Sequence, residues 1–139
     1  MGTTFSQFFV CCKDSFLYLD ISGLKPLTYK VTVVDEPAPS TDAALSALSL
    51  GSVSLSPAFD TETTTYTAST TNATNTVTAT PADAGASIVI TNKGTSGDAV
   101  EVPNGSAVTW QAGANTLTVT VTAEDGAATK AYTVTVTKS

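Results

Sequence analysis

Cys11 and Cys12 are the only thiols in the chain, and it contains no histidine. A thiol or hydroxyl nucleophile needs a neighbouring base. Without histidine the commonest general base, metal ligand and triad member is missing. Carboxylates and lysines remain. Two carboxylates across a cleft could hydrolyse a glycoside. However, Asp83, Asp98, Glu101 and Asp125 sit singly in turn-forming stretches, and nothing pairs them in sequence. A hard cation would need about six converging oxygen ligands, and these residues are too scattered to supply them. The expectation is no catalytic residue, no cofactor and no metal. The adjacent cysteines cannot clip a long loop. They read as two small apolar residues in a strand, with a redox or intermolecular role as the alternative.

The elements that carry these residues are read from periodicity. Leu117, Val119, Val121 and Ala123 alternate with Thr116, Thr118, Thr120 and Thr122, and Tyr132, Val134 and Val136 alternate with Thr133, Thr135 and Thr137. A period of two with β-branched residues on both faces marks a half-buried strand. Asp125-Gly126 between the two runs supplies a turn. The C-terminal end is therefore read as a hairpin, apolar on one face and threonine-coated on the other.

Composition narrows the partners. The 139 residues suit one domain with an appendage, and the net charge is −6, with no arginine. A nucleic-acid surface needs a basic footprint, and an anionic membrane surface repels such a chain. No stretch approaches the roughly 20 apolar residues of a spanning helix. No basic region precedes the short apolar run Phe8 to Cys12, so the chain is read as lacking its own export signal. Gly2 with Ser6 formally fits a myristoylation pattern, which carries weight only in a eukaryotic cytosol.

Residues 1–36 differ from the rest. Phe5, Phe8, Phe9, Phe16, Tyr18 and Tyr29 lie here, six of the ten aromatic residues. A turn at Ser22-Gly23-Leu24-Lys25-Pro26 separates two strand candidates, giving a hairpin or arm. Two strands alone are marginal in water. An aromatic-rich arm is expected to pack on its own domain, on another copy or on a partner, and these six aromatics are the candidate interface. Tyr29-Lys30-Val31-Thr32-Val33 also matches the pattern of Tyr132-Thr133-Val134-Thr135-Val136. It reads either as a strand given to a neighbouring sheet or as the end of a preceding sandwich, with coincidence as the competing explanation. Residues 37–42 form a Pro-rich linker.

Residues 43–139 carry almost purely β signal. Short apolar alternations recur around Leu45–Leu50, Tyr66, Val77–Ala79, Ile88–Ile90, Val100–Val102 and Val108–Trp110, with turns every eight to twelve residues. This pattern predicts an all-β, immunoglobulin-like, seven-stranded antiparallel β-sandwich. Phe59, Tyr66 and Tyr132 read as core aromatics. Asn115, after Gly113, reads as an anchor bonding local backbone. Trp110 is either core or, if exposed, an interface hot spot. With Asn92, Lys93 and Asn104 in the polar loops, it completes the candidate surface contacts. Asn72-Ala73-Thr74 and Asn104-Gly105-Ser106 fit a glycosylation sequon, relevant only in a eukaryotic secretory route.

The blocks Leu45-Ser46-Ala47-Leu48-Ser49-Leu50-Gly51, Leu55-Ser56-Pro57-Ala58-Phe59-Asp60 and Gly113-Ala114-Asn115-Thr116-Leu117, with the closing hairpin, resemble the bacterial cadherin-like β-sandwich domain. The resemblance covers roughly residues 43–138. It implies an immunoglobulin-like module, repeated or appended on bacterial surface proteins and phage virion proteins, without enzyme activity. It does not imply calcium, because the acidic clusters of true cadherin junctions are absent.

Together these observations lead to a non-enzymatic virion structural protein, a phage head-decoration or tail-associated component assembled in the host cytoplasm. The arm would dock on the capsid, the tail or neighbouring copies, with a homo-oligomer expected. The sandwich would face outward and touch a host cell-surface glycan or protein weakly, strengthened by copy number. Neither nucleic acid nor membrane insertion enters. The alternative is a spacer or adhesion module of a bacterial cell-surface protein.

Overall fold

In the computed structural model of the chain, residues 36–139 are described. The arm aromatics Phe5, Phe8, Phe9, Phe16, Tyr18 and Tyr29, and both cysteines, lie outside the described residues.

The strands are β1 (Leu45–Ser49), β2 (Thr65–Thr70), β3 (Thr74–Thr76), β4 (Thr78–Pro81), β5 (Ser87–Lys93), β6 (Val100–Val102), β7 (Ala107–Thr109), β8 (Gly113–Thr122) and β9 (Thr129–Lys138). The described residues are all-β, and residues 38–139 form one unit. Nine strands stand where seven were expected. Part of the difference is the run Thr74–Thr80, which is divided at Val77.

β8 and β9 are the longest strands and form the predicted hairpin, paired from Thr122↔Thr129 to Gly113↔Lys138. The turn closes as its residues require. Asp125 Oδ1 accepts from the N–H groups of Ala127 (2.9 Å) and Ala128 (3.1 Å). Gly126 takes φ 70°, a left-handed conformation that glycine adopts without steric cost. Alternation then decides burial. Leu117, Val119, Val121, Tyr132, Val134 and Val136 are all 0% exposed, while the intervening threonines face outward.

This hairpin is the middle of a five-stranded sheet ordered β2-β9-β8-β5-β6. The expectation of an antiparallel sandwich needs one correction: β2 runs parallel to β9, from Thr65↔Thr133 to Thr70↔Lys138. A parallel pair requires a long crossover. Here nearly the whole sandwich intervenes, because the chain leaves the opposing layer after β1 and enters this sheet only at β2.

The opposing layer pairs β1 with β4 and β3 with β7. Val77, between β3 and β4, turns its main chain to the loop before β7: its N–H donates to Ser106 O at 3.1 Å and its carbonyl accepts from Gly105 N at 2.8 Å. Leu45, Leu48, Leu50, Val77, Ala79, Val108 and Trp110 from this side meet Ile90 and the β8–β9 stripe in one core. Fully burying one such aliphatic side chain stabilises by about 1.5–3 kcal/mol.

The three domain aromatics pack as expected. The Phe59 ring stacks on Tyr66 at 6.0 Å and tilts against Tyr132 at 6.4 Å. Both phenols reach polar partners. The Tyr132 hydroxyl accepts from Leu45 N at 3.1 Å and donates to Thr61 O at 2.9 Å. The Tyr66 hydroxyl accepts from Asp60 N at 3.1 Å, and its single proton is shared between Asp60 O and Thr63 O, both at 2.6 Å. Ser40, in the stretch read as linker, is tied to the hairpin turn. Its N–H donates to Glu124 Oε2 at 3.0 Å and its carbonyl accepts from Asp125 N at 3.1 Å.

Candidate interaction surface

The candidate contacts fall in four different settings. Trp110 is not a surface residue. It is 4% exposed, and its indole N–H donates to Asn75 Oδ1 at 2.9 Å inside the sandwich. The physical reason is parity: Val108 and Trp110 sit two apart on one face, and that face is the core face. Asn104 sits at an exposed position, but its amide is occupied. Ala79 N–H donates to its Oδ1 at 2.9 Å and its Nδ2 donates to Ala79 O at 2.7 Å. The side chain thus imitates a neighbouring strand for β4 and is not free to receive a partner.

Asn92 and Lys93, read as the start of a polar loop, belong instead to the end of β5. There they pair with Leu117 and Thr116 of β8. The long hairpin strand extends the ladder past the point where Asn-Lys-Gly reads as a turn. Lys93 is exposed. Asn92 points inward, on the same face as Ile88 and Ile90, and its Nδ2 donates to Thr109 O at 3.3 Å across the gap between the sheets. Its Oδ1 is buried without a hydrogen-bond partner.

The loop that follows is fixed by a residue the sequence reading passed over. Gln111 Oε1 accepts from Thr95 Oγ1 (3.1 Å), Ser96 N (3.1 Å) and Ser96 Oγ (3.3 Å), and its Nε2 donates to Ser96 O at 3.2 Å. Gly94 makes room for that amide, since a Cβ there would overlap the Gln111 side chain.

Asn115 behaves as expected. It is 0% exposed, its Oδ1 accepts from Gln111 N at 2.9 Å, and its Nδ2 donates to Gln111 O (2.8 Å), Gly113 O (3.1 Å) and Val136 O (3.4 Å). Asn75 is a second buried amide, 7% exposed, which the sequence reading did not single out. The signal was present: it falls on the same parity as Val77 and Ala79.

Between β5–β6 and β7 lies a cavity of about 370 Å³, lined among others by Asn92, Val100, Val102, Thr109 and Gln111. Val100 is 65% exposed at its mouth. Asp98 and Glu101 also line it, and neither appears in a hydrogen bond or ion pair through its side chain among the described residues. Among the described residues no three His, Cys, Asp or Glu side chains group to hold a metal, and no helix is long and apolar enough to cross a membrane. The electrostatics are one-sided. Residues 36–139 hold nine carboxylates against three lysines, so 3 − 9 gives this region the whole net charge of −6. The single ion pair among the described residues joins Lys130 to Glu62 at 3.6 Å.

Residues 45–139 match the family described as the cadherin-like beta sandwich domain. The match begins at the first residue of β1 and runs past the end of β9. No curated protein matches the chain.

Proposed function

Because the chain belongs to the cadherin-like β-sandwich family, we propose that it is a non-enzymatic structural and adhesion module displayed at a surface. One observation carries this reading. Four of the amides that could have formed a polar site are spent on the fold: Asn75 on Trp110, Asn104 on Ala79, Gln111 on Ser96 and Asn115 on Gln111. What remains outward is a coat of threonine and serine on the sheet faces. Such a coat keeps β-propensity and solubility together and suits display rather than catalysis.

The more specific reading is a virion component, either head-decorating or tail-associated. Its support is the layout. A neutral, aromatic-rich stretch of residues 1–35, with three lysines and three aspartates, precedes a sandwich that carries all of the net charge. Aromatic side chains are enriched at docking interfaces, and the acidic, threonine-coated sandwich is display material. The arm docks on capsid, tail or neighbouring copies, and the sandwich meets the host surface by many weak contacts. A module of a bacterial cell-surface protein is the second reading. It is favoured by the match of Tyr29–Val33 to the closing strand Tyr132–Val136, as expected for successive sandwich domains.

Deleting residues 1–36 and measuring incorporation into particles tests docking. Loss of incorporation with the sandwich still folded is the expected result. Unchanged incorporation refutes docking by the arm, and a sandwich domain directly upstream in the full reading frame would favour the surface protein.

A further inference from the structure

An asparagine followed by glycine is open to a spontaneous reaction that needs no enzyme. The chain has one such pair, Asn104-Gly105; its other four asparagines precede alanine, threonine or lysine. In this reaction the main-chain nitrogen of the following residue loses its proton to solvent and attacks the asparagine Cγ. A glycine at that position has no Cβ to obstruct the approach. The N–Cγ bond forms, the Cγ–Nδ2 bond breaks, and Nδ2 leaves as ammonia. Water then opens the five-membered imide at one carbonyl or the other, leaving aspartate or isoaspartate in place of asparagine.

The fold holds both reacting groups apart from each other. Ala79 N–H donates to Asn104 Oδ1 at 2.9 Å, and Asn104 Nδ2 donates to Ala79 O at 2.7 Å. The attacking nitrogen is occupied as well: Gly105 N–H donates to Val77 O at 2.8 Å. Val77 N–H in turn donates to Ser106 O at 3.1 Å, and Ser106 N–H closes the turn on Pro103 O at 3.1 Å. The turn is therefore docked along Val77–Ala79, with the amide on one residue and its attacker on another. Asn104 and Gly105 are nonetheless exposed, so water reaches the pair once the turn lifts. All of these groups lie within the described residues.

We propose that Asn104 is a site of spontaneous deamidation, gated by the docking of the 103–106 turn on β4 and one-way once it has occurred. The gate follows from the bonds above: cyclisation requires both the Asn104 amide and the Gly105 N–H to leave β4. The one-way character follows from the product. A carboxylate only accepts hydrogen bonds, so it cannot replace the donation from Nδ2 and turns an acceptor toward Ala79 O. Isoaspartate also lengthens the main chain by one carbon, which shifts Gly105 off Val77. β4 pairs with β1 on one side and is met by the Asn104 amide on the other. Each modified copy therefore loses one of the two supports of β4, and copies accumulate the change in proportion to how often this turn opens.

The test compares the full chain folded in buffer with the same chain unfolded in guanidinium chloride, at one mildly alkaline pH. Peptide mass mapping follows the exchange of NH2 for OH at Asn104 and separates the isoaspartate form. Modification is expected at Asn104 ahead of Asn72 and Asn115 in the unfolded chain, and at least about tenfold slower at Asn104 in the folded one. Gly105→Ala, compared in guanidinium chloride where folding plays no part, should slow it by a similar factor. Asn104→Asp reproduces one product, and in it the Ala79 and Gly105 amides should exchange with solvent at least about tenfold faster than in the parent. Equal rates in the folded and unfolded chains overturn the gate. An unfolded chain in which Asn104 reacts no faster than Asn72 overturns the site. Unchanged amide exchange in Asn104→Asp overturns the one-way character. The rate comparison on the parent chain decides the first two points whether or not that variant folds.

Discussion

The indole N–H of Trp110 and the Oδ1 of Asn75 meet at 2.9 Å in the interior of the sandwich, and the same oxygen accepts from Thr70 Oγ1 at 3.2 Å. One buried amide thus joins the end of β2, the strand β3 and the residue after β7. The bond explains how a tryptophan sits in an apolar core: its one polar atom is matched.

Removing either partner should have unequal effects. Asn75→Ala leaves the indole N–H and the Thr70 hydroxyl without their acceptor and should cost about 1–3 kcal/mol per unsatisfied group. Trp110→Ala loses the ring as well and should cost about 3–5 kcal/mol. Trp110→Phe keeps most of the volume and should fall below that. Chemical unfolding with tryptophan fluorescence, or circular dichroism for the Trp110 variants, measures the order. If Trp110→Ala were neutral to folding but weakened surface binding, the residue would be an interface group after all.

Asn115 should be among the most sensitive polar positions. Its amide holds both main-chain groups of Gln111, and Gln111 in turn holds the loop at Thr95 and Ser96. Asn115→Ala strands those groups beside a buried position and should destabilise by about 2–4 kcal/mol. Asn115→Asp should be at least as damaging, since it turns an acceptor toward three carbonyls. Hydrogen exchange should show the loop at residues 94–98 opening in both variants, while the β8–β9 ladder stays protected near the turn.

These positions show what the sequence could and could not reveal. Alternation named the buried stripe Leu117, Val119, Val121, Tyr132, Val134 and Val136 correctly, because a half-buried strand writes its burial into every second residue. Asn115 was legible as an anchor because an amide just after a glycine, where a loop enters a strand, readily bonds local backbone. Alternation says which face is buried but not which strand lies alongside. The parallel pairing of Thr65 with Thr133 was therefore invisible, as was the span of Asn92 across the sheets to Thr109. Gln111 looked like an ordinary loop residue, since its four contacts come from a segment about fifteen positions away.

Acid should weaken the turn that joins β4 to β5, where Asp83 accepts from Gly85 N–H. The nearby Ser40 side chain, and then the Gly85 N–H, which donates to Asp83 Oδ1 at 2.7 Å, hold the Asp83 carboxyl below its ordinary value. A depressed folded-state pKa means that the contribution is complete above the unfolded value of 3.8 and is lost as pH falls through the lower folded value. Asp83 lies at the surface and is half-buried at most, so solvent screens it and the effect is modest. Thermal unfolding of Asp83→Asn should therefore lose less between about pH 6 and about pH 2 than the parent chain does. Identical acid slopes would show that Asp83 does not contribute.

The two tyrosine hydroxyls should act as one unit. Tyr132 holds Thr61 O, and Tyr66 holds Asp60 and Thr63, so both grip the same four-residue turn, with Phe59 against both rings. Lys130 reinforces it, donating to Thr61 O at 2.8 Å with its ammonium 5.5 Å from the Tyr132 ring centre. Tyr132→Phe strips the partner from Leu45 N as well and should cost about 1–3 kcal/mol, as should Tyr66→Phe. Once either hydroxyl is gone the turn is free to reach water, so the second loss strands less. The double variant should therefore fall short of the sum of the singles by about 0.5 kcal/mol or more, a coupling typical of residues that share partners. Urea unfolding of the four chains in the cycle measures it. Strict additivity would mean that each phenol anchors its own strand and that the turn between Asp60 and Thr63 is held by other contacts.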